Sequence, residues 1–268
     1  GLRWESAAAT NLLLNTATLS TQNVTTSATP YTLHFTGTGT ITLTGTSTAG
    51  PLVGTGTGEE NRVSLTFTPT AGTLTLTVSG TVSAAQIETG SIPTSYIPTN
   101  GATATRAAET ISIAGAKTPA NTTGMSFKAS GLFTYADENA GATMAPYEWG
   151  TTASTTTPNL RVFFDSDRGT GGVTFRYTDG TDNNPIDFNG NVFTPGINVP
   201  YSVSQRVAPS EHNGAVNGVA DIAVVADGTI PDLSALDIGL GRFDSFPTQN
   251  FNGFISEFVM WGVDIGDT

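Results

Sequence analysis

There is no cysteine anywhere in this chain of 268 residues. A disulfide scaffold is therefore excluded, and so is any Cys-ligated zinc or iron–sulfur site. Charge is scarce as well: 12% of residues are Asp, Glu, Lys or Arg, about half the usual share of roughly 25%. Basic residues are the scarcest part of it, with 10 Lys+Arg against 22 Asp+Glu and a net charge of −12. Phosphate contact needs a basic face, so this balance speaks against a nucleic-acid partner. No apolar run reaches the roughly 18 residues of a membrane span, so no membrane insertion is expected. No basic and then apolar leader opens the chain. It starts at Gly1 rather than Met, and so reads as a processed piece or a fragment. With 2 His and no nucleophile-elbow pattern, a Ser-His-Asp triad has little to be built from.

What is present in quantity is threonine. The apolar fraction is only 37%, but Thr fills the gap, and its β-branched side chain suits a pleated surface. Residues 1–115 hold 30 Thr and no Asp, with three basic and five acidic residues, a net of −2. Residues 116–268 hold the other seven basic and seventeen acidic residues, a net of −10, together with every Asp and most of the aromatics. This shift predicts two domains, 1–115 and 116–268. The run of small residues and turn formers at Ala114–Asn121 marks the boundary.

Strict alternation of apolar residues with Thr predicts half-buried antiparallel strands in the first domain. It is seen at Tyr31–Phe35, Thr40–Thr44, Val63–Phe67 and Thr73–Ser79. Gly-rich turns separate them, as in a small β-sandwich. His34 takes the polar phase of its strand and reads as a surface residue. The piece Ser83–Glu88 is left open between strand end and turn. In the second domain, less regular strands are expected at 125–128, 131–135, 160–164, 173–177, 201–207, 220–225, 235–240 and 254–261. Eight strands over roughly 140 residues, spaced by Gly, Asp, Asn and Pro, fit a two-sheet jelly roll. The fold class is therefore all-β, two tandem antiparallel β-sandwich (jelly-roll) domains. Asn217-Gly218 carries the type I′ hairpin signal. Phe254, Ile255, Phe258 and Met260 are read as one core face, and Trp261, near the strand end, as core packing in preference to a sugar platform.

Two resemblances sharpen this reading. The opening Gly1-Leu-Arg-Trp-Glu-Ser-Ala-Ala-Ala-Thr10-Asn11-Leu12-Leu13-Leu14 is similar to the start of a module found in bacteriophage tail and fibre proteins. So are Ala85-Gln86-Ile87-Glu88 with Pro93-Thr94-Ser95-Tyr96-Ile97-Pro98-Thr99, and Thr105-Arg106-Ala107-Ala108-Glu109. The likeness covers roughly residues 1–113. It implies a carbohydrate-binding-module-like β-sandwich in a virion appendage, and such fibres are usually homotrimers. The second domain resembles the concanavalin A-like lectin/glucanase (laminin-G-like) superfamily. This likeness rests on Phe251–Trp261, on Ala215-Val216-Asn217-Gly218-Val219 and on Leu236–Gly241. These motifs match the fold's core and carry no functional residue.

Candidate chemistry is modest. A retaining glycosidase needs two carboxylates facing one sugar at about 5–5.5 Å, and no compact run of acidic residues supplies them. Asp165-Ser-Asp167 has the spacing but reads as a strand end and hairpin loop. Glu211-His212 joins an acid and an imidazole in a loop, where neighbouring side chains point apart. Calcium takes six to eight oxygens, and Asp165, Asp167, Asp179 and Asp182 lie in oxygen-rich loops that are candidates to hold it. Metal-free acidic surface is the commoner outcome for such loops. For a glycan surface the candidates are Tyr147, Trp149, Arg176, Tyr177, Asn183 and Arg242, with aromatics for sugar faces and polar groups for hydroxyls. Tyr147 and Trp149 read first as a strand packed in the core.

The expectation is a non-enzymatic virion appendage protein (tail fibre, head fibre or spike) that recognises host-surface glycans. Other virion proteins are its expected partners, and many weak sites would gain avidity from copy number. A structural decoration without ligand, and a polysaccharide-degrading enzyme of the jelly-roll fold, are the alternatives. The missing cysteine fits assembly in a reducing bacterial cytoplasm before action outside the cell.

Overall fold

The computed structural model describes residues 2–5, 7–135, 144–150, 157–164, 171–181, 183–188, 192–209, 211–220, 229–241 and 251–266, with 2–4, 183 and 184 described by backbone alone. The fold is all-β, as the alternation predicts, and among the described residues its only helical pieces are two 3-10 turns, Glu59–Asn61 and Gly115–Lys117.

The chain forms two compact units. One is Gly1–Ala7 together with Glu109–Thr268; the other is Ala8–Ala108. The division therefore departs from a single boundary near residue 115. Strand β1 (Leu2–Glu5) opens the chain. It pairs antiparallel with the last strand, Leu2 opposite Ile255 and Glu5 opposite Asn252. The first unit is thus interrupted in sequence by the second. A composition change cannot reveal this, because the four residues that cross back carry no compositional mark.

The inserted unit holds β2 (Ala9–Asn11), β3 (Gln22–Thr26), β4 (Tyr31–Gly37), β5 (Thr40–Gly45) and β6 (Leu52–Val53). It continues with β7 (Val63–Phe67), β8 (Gly72–Ser79), β9 (Val82–Thr89) and β10 (Ala104–Arg106). A four-stranded sheet, β3-β8-β5-β6, and a three-stranded sheet, β7-β4-β9, enclose one core. In β5 and β8 the alternation is obeyed: Ile41, Leu43, Leu74 and Leu76 are buried while Thr42, Thr44, Thr73 and Thr77 face out. The open piece at 83–88 is strand β9.

Strand β4 breaks the pattern, because all seven of its residues are buried. His34, expected on the surface, is 0% exposed. The outer face of this sheet is covered by the irregular stretch 90–99, which is tied down through side chains. Thr32 Oγ1 donates to Gly90 O (2.8 Å), and Thr66 Oγ1 donates to Ser91 O (3.1 Å). Glu88 accepts from Thr94 N (2.8 Å) and Thr94 Oγ1 (2.7 Å). Gln86 Oε1 accepts from Ile97 N (2.7 Å). Buried polar groups call for partners, and Thr32, Gln86 and Glu88 find theirs in a segment that carries no strand of its own.

The interrupted unit continues with β11 (Ile111–Ile113), β12 (Met125–Tyr135), β13 (Tyr147–Gly150), β14 (Asn159–Phe164) and β15 (Val173–Thr178). It ends with β16 (Asn183–Phe188), β17 (Gly196–Ala208), β18 (Glu211–Val216), β19 (Val219–Ala220), β20 (Ile238–Leu240) and β21 (Asn252–Trp261). Among the described residues two six-stranded sheets form, β1-β21-β12-β17-β18-β19 and β11-β20-β13-β14-β15-β16. Their inner faces share an aromatic-rich core that includes Phe127, Phe133, Tyr147, Trp149, Phe164, Phe175 and Tyr201. Such packing of two sheets through alternating inward residues is the sandwich solution.

Three local features differ from the sequence reading. Glu211–Val216 and Asn183–Phe188 are strands rather than loops. Strand β16 is an edge, so Pro185 can sit within it without depriving a second neighbour of a donor. Strand β21 carries a bulge: Ser130 pairs with Glu257 and Gly131 with Ile255, which leaves Ser256 as the extra residue. The side-chain phase therefore flips, and Ile255, Phe258 and Met260 pack on the core without Phe254. The expected hairpin turn is present, with Asn217 at φ 51 and Gly218 at φ 80. Asn217 N donates to Ser202 O (2.8 Å), and its Oδ1 accepts from Ser202 N (3.0 Å).

Candidate functional site: an amphipathic groove on the β12 sheet

The outer face of the β12 sheet is built by the polar phase of four neighbouring strands. Their register sets Trp261, Ser126, Arg206 and Asn213 in one rank across β21, β12, β17 and β18. The next rank is Val259, Lys128, Ser204 and Ala215. Successive residues on a strand face opposite ways, so these side chains point away from the core that holds Phe127, Val203 and Val207. All of them except Val259 line a groove of roughly 410 Å³ that also includes Ile265 and Gly266.

The aromatic wall is Trp261. It is partly exposed and is absent from the core cluster and from the residues packed on it. This corrects its reading as core. Phe258 and Met260 point inward, and a residue one position beyond Met260 must point outward.

The charged groups of the groove are held by specific partners. Arg206 Nε donates to Asp264 Oδ1 (2.8 Å) and its Nη2 to Asp264 Oδ2 (3.0 Å). Arg206 also donates to Glu211 from across the hairpin. The Arg206 hydrogen bonds hold the Asp264 carboxyl below its usual range, with a backbone bond from Gly266 N (3.0 Å) adding to the effect. Lys128 Nζ meets Glu257 Oε2 at 2.7 Å. Ser126 Oγ accepts from Ile265 N (3.1 Å), which ties the chain end to the groove floor.

The residues named from the sequence do not converge on one surface. Tyr147 and Trp149 are 0% exposed and face the core, so no sugar ring can stack on them. Tyr147 OH donates to Gln205 Oε1 (2.8 Å), and Trp149 Nε1 donates to Leu236 O (2.8 Å). Burial pushes the Tyr147 hydroxyl pKa well up. Tyr177 is also inward, at 2% exposure, edge-on to His212 at 5.5 Å between ring centroids. Gln205 Nε2 lies 2.8 Å from His212 Nε2. An amide NH₂ can only donate, so that imidazole nitrogen serves as the acceptor. Tyr147, Gln205, His212 and Tyr177 are thus an internal polar chain and not a platform.

Arg176 lies one residue before Tyr177 and so on the opposite face, the outside of the β14 sheet. It is opposite Arg161, which is opposite Glu148. The Arg161 and Arg176 guanidiniums stand 4.5 and 5.3 Å from the Phe163 ring centroid. Burial first, then the neighbouring Arg176 charge, bring the Arg161 pKa down to about 10, with Glu148 opposing them. Asn183 starts edge strand β16, opposite Thr178. Arg242 lies outside the described residues, as do Asp165, Asp167 and Asp182 of the calcium candidates. Asp179 is described, and its carboxylate serves the fold: Oδ1 accepts from Thr181 N (2.8 Å) and Oδ2 from Thr229 N (3.0 Å). Among the described residues no group of three or more His, Cys, Asp or Glu is arranged to hold a metal ion.

The groove residues Lys128, Ser204, Arg206 and Asn213 were not singled out as a site from the sequence, and Trp261 was set aside there as core. A signal existed. Ser126 and Lys128, and Ser202, Ser204 and Arg206, are the polar phases of strands that were recognised. Which strands lie side by side was the missing piece.

No family model matches the chain, and no curated protein matches it. Solved structures similar to it include the CBM40 of a Ruminococcus gnavus IT-sialidase, at 16% identity and TM-score 0.42, covering 59% of this chain and 92% of that one. Sheep galectin-11 in complex with glycerol is similar at 14% identity and TM-score 0.32, over 57% of this chain and 95% of that one. Tailspike protein 2 of the Escherichia coli O157:H7 bacteriophage CAB120 is similar at 14% identity and TM-score 0.39, over 54% of this chain and 20% of the tailspike.

Proposed function

We propose that the chain is a non-enzymatic glycan-recognition component of a virion appendage, with the groove on the β12 sheet as its sugar site. The observation that carries this reading is the composition of one surface. A partly exposed indole, Trp261, stands beside Ser126, Ser204, Asn213 and two oriented cations in a groove of roughly 410 Å³. Sugar recognition needs an apolar face for ring C–H groups and fixed polar groups for hydroxyls. A concave site with apolar lining and a few placed polar groups is the usual form of a small-ligand site. An indole supplies the apolar face at low conformational cost.

The appendage setting rests on the resemblance of residues 1–113 to the phage module. Host-surface glycan, neighbouring virion proteins and a homotrimer are the partners that this setting implies, with weak sites multiplied by copy number. No catalytic step is assigned to the groove, because the carboxylates beside it, Asp264, Glu211 and Glu257, are all engaged by cations.

A glycan array probed with the purified chain tests the reading. Binding is expected to a restricted set of oligosaccharides. Trp261→Ala should weaken it at least about tenfold, the loss of about 1.4 kcal/mol, with the thermal midpoint nearly unchanged. Absence of any glycan at millimolar concentration would favour a structural decoration. Release of reducing ends from a host polysaccharide would favour an enzyme.

A further inference from the structure

The charges that line this groove are already spent on one another, and this decides what it can hold. Arg206 faces the groove with its guanidinium gripped by Asp264 on one side and by Glu211 on the other. Its side chain keeps only 13% of its surface exposed. Lys128, the second cation, is paired with Glu257 at 2.7 Å. Two cations thus stand among three carboxylates, a local balance of −1. The unit as a whole is more acidic still. Gly1–Ala7 with Glu109–Thr268 carries eight basic and nineteen acidic residues, a net of −11 out of −12.

Resting on the reading of the groove as a sugar site, we propose that it takes neutral, hydroxyl-rich oligosaccharides and rejects anionic ones such as sialylated or uronate-containing glycans. A ligand carboxylate that approached Arg206 would enter between two carboxylates already bound there. Like charges at such range disfavour the ionised ligand, and displacing either partner would leave that carboxylate unpaired. A hydroxyl meets no such cost. It can accept from the outward N–H groups of Lys128, donate to the outer lone pairs of Glu257 or Asp264, and use Asn213 for either role. The ion pairs also hold the donors in place, so a neutral sugar meets groups ordered before it arrives. The surrounding field acts in the same direction at longer range and slows the encounter with anions.

The test uses the full chain on an array of neutral, sialylated and uronate-containing oligosaccharides, with Trp261→Ala printed alongside. The proposal expects neutral hits that Trp261→Ala abolishes. Hits confined to anionic glycans and lost in Trp261→Ala would overturn this inference while leaving the groove a sugar site. No hits, or hits indifferent to Trp261→Ala, would remove the sugar site itself. A second variant probes the cause. Glu257→Gln, at a residue 44% exposed in the side chain, frees Lys128 without touching the core. Titrated with sialyllactose and with the strongest neutral hit, it should raise the ratio of anionic to neutral affinity at least about threefold, which is about 0.6 kcal/mol. An unchanged ratio would show that the ion pairs do not set the preference.

Discussion

Asn11 shows how much a single side chain organises here. It is 0% exposed. Its Nδ2 donates to Ala85 O (2.9 Å) and Ile97 O (2.8 Å), while its Oδ1 accepts from Leu13 N (3.1 Å) and Ile87 N (3.3 Å). Thr16 plays a similar part against Tyr96 and Thr99. The residues that carry the likeness to the phage module, Asn11, Gln86, Glu88, Thr94, Tyr96 and Thr99, are thus largely the clasp of an irregular segment and not a ligand surface. His34 lies under that clasp. Its Nε2 is 3.4 Å from Glu88 Oε1 without hydrogen-bond alignment. Glu88 is already served by Thr94. Burial lowers the His34 pKa below its ordinary 6.5, although Glu88 pulls the other way. A depressed folded-state pKa means that the unfolded chain takes up the proton first. The stability held by neutral His34 is therefore complete above about pH 6.5 and is lost as the pH falls from there through the folded pKa. Urea midpoints of the wild type should drop between pH 7.5 and pH 5.5 for the transition of the inserted unit. His34→Gln should flatten that dependence. An equal slope in both proteins would mean that His34 is not its source.

At the scale of strands, alternation was a good guide to which residues form an element and a poor guide to what covers it. Tyr31–Phe35 was legible as a strand, but nothing in its own pattern tells that 90–99 lies across its polar phase. In the other unit Glu148, between Tyr147 and Trp149, already implied that both rings share a face. Two large aromatics on one strand face are a core signature, and both are in the core. Trp261 was legible too: Phe258 and Met260 inward require Trp261 outward. The bulge at Ser256 was not legible, because it depends on the partner strand. Gly131 is what permits it. A Cβ there would stand 1.8 Å from Phe254 O and 3.1 Å from Tyr201 Cε1. Backbone cannot yield as a side-chain tip can, so Gly131→Ala must push β12 and β21 apart. A loss of about 2–3 kcal/mol is expected in denaturant unfolding. Ser130→Ala, one residue away on the outer face, should cost within about 0.5 kcal/mol. If the two variants unfold alike, the close approach at Gly131 does not constrain the sheet.

At the scale of the whole chain, sequence order and structural unit part company. The strand Leu2–Glu5 belongs with residues 109–268, and Glu5 is further tied there by Glu109, whose N donates to Glu5 O (3.2 Å) and whose Oε2 accepts from Glu5 N (2.9 Å). Strand β11 likewise precedes the composition boundary yet pairs with β20 through Ile111–Leu240 and Ile113–Ile238. A fragment cut where composition changes, 116–268, therefore lacks an edge strand of each six-stranded sheet. It exposes the unpaired edges of β21 and β20, and bare edges are templates for aggregation. Fragment 109–268 restores β11 but still lacks β1. Three samples separate these contributions by thermal unfolding: 116–268, 109–268, and 109–268 with an excess of a synthetic peptide of residues 1–7. The midpoint should rise along that series. Each returned strand should add roughly 3–6 °C, the shift that about 1–2 kcal/mol brings in a domain of this size. The peptide's contribution should grow with its concentration, as it must for a partner that binds only the folded state. A midpoint indifferent to the peptide would mean that pairing between the first and last strands adds nothing to the stability of the unit.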